Sequence, residues 1–154
     1  MKRFVIVAGN IGVGKSSLVN LLCQRLGWQP FYEAVVENPY LADFYRDMPH
    51  WGFHSQVFFL ANRLHTHRQI ADHPTSVIQD RSVYEDAEVF AHDLYEQGQM
   101  AERDYATYRR LYEGLIDCLP APGLVLYQRA SVATLQARID RRGRDYEARN
   151  APEN

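Results

Sequence analysis

One segment near the start of the chain, GNIGVGKS at residues 9–16, limits the possible folds more than any other feature. It fits the pattern G-x-x-x-x-G-K-[ST] at every fixed position, between an apolar β-branched run and leucines at helical spacing. Glycines let consecutive backbone N–H groups turn inward around an anion at the positive end of a helix. Strand, turn and helix together therefore predict a phosphate-binding loop. Its expected residues are Gly9, Asn10, Ile11, Gly12, Val13, Gly14, Lys15, Ser16 and Ser17.

Two side chains at the end of this loop carry its chemistry. Lys15 is expected to reach the β- and γ-phosphates of ATP, and the Ser16 hydroxyl is expected to ligate Mg²⁺. A glycine-rich turn capped by serine is the alternative, but the complete motif in this context favours nucleotide binding. GTPases, ATPases and small-molecule kinases share the motif. Because no Asn-Lys-x-Asp-like guanine signature occurs and 154 residues leave little room for a motor domain, a small-molecule kinase is favoured.

The remaining chain alternates between strand-like and helix-like patterns. Strand candidates lie at residues 4–8, 31–32, 76–80 and 124–127, and helical periodicity covers 18–26, 53–70, 83–94, 105–115 and 132–139. Such alternation with short connections predicts an α/β fold, a P-loop kinase with a parallel β-sheet flanked by helices on both faces. We expect residues 1–154 to form a single domain.

Composition excludes several classes of partner. A formal net charge of −2 argues against a non-specific grip on nucleic acid polymers or on anionic membranes. No apolar stretch approaches the length of a membrane span. The apolar run that follows Met1-Lys2-Arg3 is too short for a signal peptide, so we expect a cytoplasmic protein.

Cysteines and histidines suggest no metal centre. Cys23 and Cys118 form no spacing motif, so free thiols in a reducing compartment are expected. His65 and His67 are too closely spaced to share one helix face and have no acids or cysteines nearby. We therefore expect both histidines to lie on the surface.

Several further blocks follow the phosphate-binding loop in a recognisable order. They are Glu33, ENPYL at 37–41, Phe44-Tyr45, Gln56, FLANR at 59–63, DRSVYED at 80–86, Arg138-Ile139, RGR at 142–144 and Glu147. Together with the loop, they resemble the deoxyribonucleoside kinase family, closest to its bacterial deoxyadenosine/deoxyguanosine kinase branch. The resemblance runs through nearly the whole chain. It implies ATP-dependent phosphorylation of the 5′-hydroxyl of a deoxyribonucleoside.

The resemblance also implies catalytic roles. Glu33 would be the general base that takes the proton from the 5′-hydroxyl, although Ala34 stands where the family usually has proline, which predicts a looser loop. Asp80 would organise Mg²⁺, and Arg81 would stabilise both the phosphate and Glu33. Residues 138–147 would form a lid that closes over the transferring phosphoryl group. Its arginines would be Arg138, Arg142 and Arg144, with Arg141 facing solvent.

Acceptor recognition is likewise implied by the resemblance. Tyr45 and Glu147 would hold the sugar 3′-hydroxyl, and Gln56 would pair with the base edge. Phe90 would stack on the base and Trp51 would line its surroundings, although periodicity alone reads both as core residues. Arg63 and Asp86 would complete base recognition, favouring purine deoxynucleosides or deoxycytidine over thymidine. The alternative for this last pair is an ordinary surface salt bridge.

Three expectations concern the whole protein. Family members are usually homodimers through helices like 53–70 and 83–95, so a homodimer is expected. They also continue past the lid with a further strand whose following loop cradles adenine, so we expect this chain to be truncated and weak at distinguishing ATP from GTP. The rival functions are a P-loop kinase of another small acceptor, such as a nucleoside monophosphate or sugar acid, and a non-catalytic nucleotide-binding subunit.

Overall fold

A computed structural model describes residues 1–33 and 37–143 of the chain. Its strands are β1 (Phe4–Gly9), β2 (Gln29–Phe31), β3 (Val77–Asp80) and β4 (Leu124–Gln128). Its helices are α1 (Lys15–Leu26), α2 (Leu41–Arg46), α3 (Met48–Asp72), α4 (Val83–Glu85), a π-helix (Asp86–Ala91), α5 (His92–Glu96), α6 (Glu102–Ile116) and α7 (Val132–Arg142). Within the described ranges, no helix has both the length and the apolar character needed to cross a membrane.

The first compact unit, formed by Met1–Glu33, Thr75–Arg81 and Pro122–Asn154, contains the sheet. Its strand order is β2-β3-β1-β4, and every neighbouring pair is parallel. The apolar β1 run is buried along its whole length, as expected for a central strand of a parallel sheet. The predicted parallel sheet with flanking helices is confirmed, because α1 packs on its strands through Val19 and Cys23.

Parallel pairing brings the carboxyl ends of the strands to one edge of the sheet. Val7 of β1 lies opposite Asp80 of β3, so the loop after β1 begins beside the end of β3. Strand β2 pairs with β3 on the other side, with Phe31 opposite Gln79. The residues that follow β1, β2 and β3 therefore leave the sheet at the same edge.

Helix α1 is flanked on both sides by glycines in left-handed conformations. Gly14 precedes it with φ 102°, and Gly27 follows it with φ 68° and donates its N–H to the carbonyl oxygen of Cys23. Burial raises the pKa of the Cys23 thiol, so this cysteine remains protonated at neutral pH. Both cysteines are free, as predicted.

The second compact unit, formed by Ala34–Pro74 and Ser82–Ala121, is helical. Helix α3 is longer than the predicted 53–70, because the Asp47 side chain accepts from the His50 N–H and caps a first turn that the apolar periodicity does not show. The predicted helix at 83–94 is interrupted by the π-helix, a wider turn that the α-helical period does not anticipate. The hydrophobic core of the second unit consists of Leu60, Val83, Ala87, Ala91, Tyr108 and Tyr112.

The expectation that His67 lies on the surface is wrong. Only 1% of this residue is exposed, whereas His65 is exposed as predicted. The His67 ring nitrogen Nε2 lies 2.7 Å from the carbonyl oxygen of Pro120, and because a carbonyl oxygen can only accept, Nε2 carries the hydrogen. Its ring also meets the edge of Tyr84, with centroids 6.3 Å apart. Because the two histidines are two positions apart in α3, their side chains lie on different faces of the helix: His65 faces solvent and His67 faces the interior.

Burial lowers the pKa of His67 from its ordinary value of 6.5, and the bond to Pro120 opposes this only in part. Below about pH 6.5 the unfolded chain binds a proton at this residue that the folded chain does not. The stability contributed by neutral His67 is thus fully present above that pH and is lost as the pH falls toward the lowered folded pKa. Binding of this one proton changes the unfolding free energy by at most about 1.4 kcal/mol per pH unit.

We therefore expect His67→Gln to flatten the decline in unfolding free energy between about pH 7 and 5. The glutamine amide can still donate toward Pro120 but does not titrate. Urea unfolding across this range measures the slope, with His65→Gln on the same helix as the exposed control. An unchanged slope in His67→Gln, or an equal change in both variants, contradicts the assignment.

Candidate active site

The phosphate-binding loop depends on glycines where neighbouring backbone comes close. Gly9 has φ 148°, and a Cβ there would lie 2.7 Å from the carbonyl oxygen of Gln128 in β4. Gly12 has φ 80°, and a Cβ there would lie 3.2 Å from the carbonyl oxygen of Leu135 and 3.3 Å from Cγ1 of Ile139, both in α7. The loop therefore lies close against both the sheet and α7, and a Cβ at either position would require neighbouring atoms to move.

Donor groups of the loop converge on the backbone carbonyl oxygen of Asn10. The ammonium of Lys15, a buried side chain, donates to this oxygen over 3.0 Å, and the Val13 N–H donates to it over 3.3 Å. The Asn10 side chain in turn accepts from the Ile11 N–H over 2.7 Å and fixes the start of the loop. An ammonium and a backbone N–H directed to one oxygen are donors of the kind that a phosphate oxygen requires. Ser17, also predicted for this site, is exposed in the first turn of α1.

Strand β3 presents a carboxylate to the hydroxyl of Ser16. The Ser16 Oγ donates to Oδ2 of Asp80, although 64 positions separate the two residues in the chain. The second carboxylate oxygen, Oδ1 of Asp80, is buried and has no hydrogen-bond partner among the described residues. A hydroxyl beside a carboxylate with a spare oxygen is a donor set that suits Mg²⁺. The residues predicted as metal ligands are thus adjacent and fit that ion.

Glu33 and Arg81 form an ion pair at the same edge of the sheet. Nη1 of Arg81 lies 3.3 Å from Oε1 of Glu33, with 12% and 39% of the two side chains exposed. Arg81 has φ 61°, the left-handed conformation that costs a non-glycine residue about 1–2 kcal/mol, and its N–H donates to the carbonyl oxygen of Val7 over 3.1 Å. The strained backbone directs the guanidinium toward Glu33 and leaves that carboxylate partly open to solvent.

Helix α7 places its arginines differently from one another. Nη1 of Arg138 donates to the carbonyl oxygens of Gly12 and Val13, over 3.3 and 2.9 Å. Arg142 is the last residue of the helix. All three arginines of α7 are exposed, as predicted for Arg141. Two further predicted site residues, Arg144 and Glu147, lie outside the described residues, as do Ala34 and the end of the predicted lid.

In the second unit, Arg63 of α3 pairs with Asp86 of the π-helix. Nε of Arg63 lies 2.7 Å from Oδ2 of Asp86, and only 8% and 7% of the two side chains are exposed. This burial excludes a surface salt bridge, the alternative that the sequence allowed. Two desolvated charges stabilise a fold only when their geometry is good, and each strongly destabilises it if its partner is lost.

The other predicted acceptor residues also lie in the second unit. Gln56 is buried and lies two helical turns before Arg63 on the same face of α3. Phe90 is half-buried on the π-helix that carries Asp86. The half-buried Trp51 ring stacks on the ring of Tyr40, with centroids 5.8 Å apart, and Tyr45 is half-buried beside Phe44. Trp51 and Phe90 are therefore not the fully buried core residues that periodicity alone suggests.

Two supporting residues were missed by sequence reasoning. Asn38 is buried, and its amide donates to the Ser55 hydroxyl over 3.1 Å while its carbonyl oxygen accepts from the Tyr40 N–H over 2.9 Å. It ties the ENPY turn to α3 beside Gln56. Tyr108 is fully buried, and burial followed by the charge of Asp86 raises the pKa of its hydroxyl. The polar pair before proline could have indicated the first residue. The helical periodicity at 105–115 includes the second but gives no sign that the charge of Asp86 acts on it.

Comparison with known proteins agrees with this geometry. The family model described as Deoxynucleoside kinase matches residues 5–153. Deoxyadenosine/deoxycytidine kinase of Bacillus subtilis (strain 168) is 39% identical over 145 residues, which cover 93% of this chain and 67% of that protein. Deoxyguanosine kinase of the same organism is 32% identical over 144 residues, covering 94% of this chain and 69% of the relative. The chain thus spans about two thirds of the length of these relatives.

A solved structure gives the same fold. Deoxyadenosine kinase from M. mycoides, with products dCMP and a flexible dCDP bound, matches with a TM-score of 0.82 at 31% identity, covering 94% of this chain and 73% of that one. The sheet, the phosphate-binding loop and the acidic residue beside it define a P-loop nucleotide-binding fold. The chain belongs to the deoxynucleoside kinase family, which confirms the resemblance read from its sequence.

The close approach of α7 to the loop leads to a prediction for Gly12→Ala. Gly27→Ala is the matched control, because Gly27 has a similar φ of 68° but no atom within 4 Å of the position that a Cβ would take. Each change should cost about 1 kcal/mol for the left-handed backbone. Gly12→Ala should cost more and should also weaken ATP binding, because the loop must move away from Leu135 and Ile139.

Chemical unfolding and ATP titration of the two variants measure this difference. Equal losses of stability, with nucleotide affinity unchanged in both variants, would show that the contact between the loop and α7 is unimportant.

Proposed function

We propose that this chain transfers the γ-phosphoryl group of ATP to the 5′-hydroxyl of a deoxyribonucleoside, giving ADP and the deoxynucleoside 5′-monophosphate. The observation that carries the proposal is the Glu33–Arg81 ion pair at the sheet edge that also carries the phosphate-binding loop. A loop alone is compatible with many nucleotide-binding proteins, but a partly exposed carboxylate held there by an arginine can serve an alcohol acceptor. The names of the bacterial relatives support the same acceptor class.

The loop residues bind the phosphates of the donor. Lys15 and the inward-facing N–H groups of the loop exchange the Asn10 carbonyl oxygen for oxygens of the β- and γ-phosphates. A negatively charged phosphate oxygen accepts from an ammonium more strongly than a neutral carbonyl oxygen does. The exchange is therefore favourable and keeps every donor satisfied.

Ser16 and Asp80 are proposed to hold Mg²⁺. The Ser16 hydroxyl and the unpartnered buried Oδ1 of Asp80 supply oxygen donors of the kind that this ion prefers. Mg²⁺ supplies positive charge that neutralises the phosphate oxygens. Asp80 also keeps the Ser16 hydroxyl oriented by accepting its hydrogen bond.

Glu33 is proposed to act as the general base. The O–H bond of the acceptor breaks, its proton passes to the Glu33 carboxylate, and the oxygen forms a bond to the γ-phosphorus. The bond between the γ-phosphorus and the β–γ bridging oxygen breaks, and its electron pair leaves with ADP. Arg81 holds Glu33 in place and offers positive charge to the phosphoryl group.

The lid arginines are proposed to complete the phosphoryl environment. Arg138, Arg142 and Arg144 carry charge that can follow the phosphoryl group as it transfers. Glu147 and Tyr45 are proposed to bind the sugar 3′-hydroxyl. These roles rest on the family resemblance, with Arg138 and Arg142 supported by the position of α7 next to the loop.

The buried Arg63–Asp86 pair is proposed to read the base of the acceptor. Asp86 fixes the guanidinium through Nε, which leaves the remaining N–H groups in a defined orientation. Gln56 offers an amide to the base edge, Phe90 an aromatic face for stacking, and Trp51 an apolar surface. An amino group or ring nitrogen complements this set, whereas the methyl group and second carbonyl of thymine do not. Purine deoxynucleosides and deoxycytidine are therefore preferred.

We further propose that the protein forms a homodimer and works in the cytoplasm. Residues 53–70 of α3 and residues 83–95 are the proposed contact surfaces, following the family resemblance. The negative formal charge of −2 supports a role with small-molecule substrates.

Labelled ATP with a panel of acceptors tests the activity directly. Deoxyadenosine, deoxyguanosine, deoxycytidine and thymidine are compared at equal concentration with a nucleoside monophosphate and a sugar acid. The proposal requires a deoxynucleoside 5′-monophosphate as product. Transfer only to the monophosphate or the sugar acid identifies another kinase, and ATP binding without transfer to any acceptor identifies a non-catalytic subunit.

Replacing the proposed base tests the mechanism. Glu33→Gln keeps the size of the side chain and its hydrogen bonding but removes the proton acceptor, so kcat should fall about 10²- to 10⁴-fold while ATP affinity barely changes. Steady-state kinetics and ATP titration provide the two readings, with the exposed Glu102→Gln as control. Near-normal turnover in Glu33→Gln would remove Glu33 from the mechanism.

A double variant tests base recognition. Arg63→Met with Asp86→Ala removes both buried charges together, because a single change would strand its partner at a cost of about 3–5 kcal/mol. The double variant should lose deoxyadenosine phosphorylation and gain thymidine phosphorylation, measured as kcat/KM for each acceptor. The matched control is Arg109→Met with Glu88→Ala, a more exposed pair that links the π-helix to α6 over 3.0 Å.

This control should leave the ratio of the two activities unchanged. A parallel fall of both activities in Arg63→Met with Asp86→Ala, or no change in either, would show that the pair does not read the base.

A further inference from the structure

Arg138 contacts the phosphate-binding loop through backbone carbonyl oxygens. Its Nη1 donates to two consecutive carbonyl oxygens, those of Gly12 over 3.3 Å and of Val13 over 2.9 Å. Both bonds are made to backbone, so the guanidinium acts here on the shape of the loop. The same contact brings positive charge next to the loop without using any of its inward-facing N–H groups.

Peptide geometry converts this contact into an effect on phosphate binding. In a trans peptide, the carbonyl of one residue and the N–H of the next point in opposite directions. Holding the carbonyls of Gly12 and Val13 outward therefore turns the N–H groups of Val13 and Gly14 inward. The Val13 N–H indeed donates to the Asn10 carbonyl oxygen, which also accepts from Lys15.

Helix α7 gives Arg138 a rigid base from which to hold the loop. Leu135 and Ile139 are 5% and 2% exposed, and they are the residues that a Cβ at Gly12 would meet. The Ser131 side chain caps the first turn of α7 by accepting from the Thr134 N–H over 3.2 Å. The helix thus packs directly against the loop. The Arg138 side chain has to reach only from α7 to the adjacent carbonyl oxygens of Gly12 and Val13.

We propose that Arg138 is a positioning residue that orients two peptide groups of the phosphate-binding loop and so sets the affinity of the loop for the β-phosphate of a nucleotide. This deepens the proposed function and rests on it only in taking a nucleotide as the ligand. It adds to the lid role proposed above: when no acceptor is bound, Arg138 also acts through the loop backbone, whereas Arg142 is proposed to serve the transferring group. A residue that orients the loop differs from a γ-phosphate contact in one measurable way. Because ATP and ADP share the β-phosphate, the affinities for both nucleotides should depend on Arg138 equally.

Binding of ATP and of ADP to the full chain, measured by isothermal titration without acceptor, tests the proposal. Arg138→Met should weaken both nucleotides by the same factor, about tenfold, equivalent to the loss of one charge-assisted hydrogen bond. Arg138→Lys, which keeps a charged donor on a shorter side chain, should recover part of this affinity. Arg141→Met, an exposed arginine on the same helix, should leave both affinities unchanged.

The outcomes separate this proposal from its rivals. Weaker ATP binding with unchanged ADP binding would make Arg138 a γ-phosphate contact and overturn the positioning role, as would unchanged affinity for both nucleotides. If Arg138→Met does not fold, as judged by circular dichroism, the comparison of ATP with ADP in Arg138→Lys decides the question. Wild-type protein that binds ADP but phosphorylates no acceptor would overturn the proposed kinase activity and leave this test intact.

Discussion

The parallel pairing of β1 with β3 is the interaction on which the candidate active site depends. It sets Val7 opposite Asp80, and this register places the end of β3 beside the loop that leaves β1. The Ser16–Asp80 hydrogen bond and the bond from the Arg81 N–H to Val7 both follow from it. A register shift of one residue would turn Asp80 to the other face of the sheet. The buried apolar side chains of both strands prevent that shift.

Several functional groups in this chain are held by backbone in uncommon conformations. The loop glycines allow β4 and α7 to approach closely, and the left-handed Arg81 turns a guanidinium toward Glu33. In the second unit, the π-helix carries Asp86 to a buried arginine. Backbone strain at Arg81 and an irregular helix at Asp86 thus occur at residues with proposed roles. Such conformations persist only where the surrounding packing holds them in place.

Buried polar groups show where the sequence pattern is a poor guide. His67, Arg63 and Asp86 lie inside the helical unit, although arginine and aspartate are rarely buried and histidine is only intermediate in burial. Each is tolerated because a specific partner satisfies it: the Pro120 carbonyl for the histidine, and a 2.7 Å ion pair for the two charges. These partners lie 23 and 53 positions away in the chain, beyond the reach of any local pattern.

The sequence by itself determined the strand, loop and helix of the phosphate-binding segment, the order of the four strands along the chain, and the residue types at the candidate site. It could do so because glycine spacing, β-branched runs and helical periodicity act over a few neighbouring residues. Only the tertiary structure decided that Arg138 bonds to the loop backbone, that Asp86 belongs to a π-helix and that His67 is buried. These depend on close packing between segments distant in sequence, where a difference of one residue in helical register decides whether a side chain points to solvent or to a buried partner.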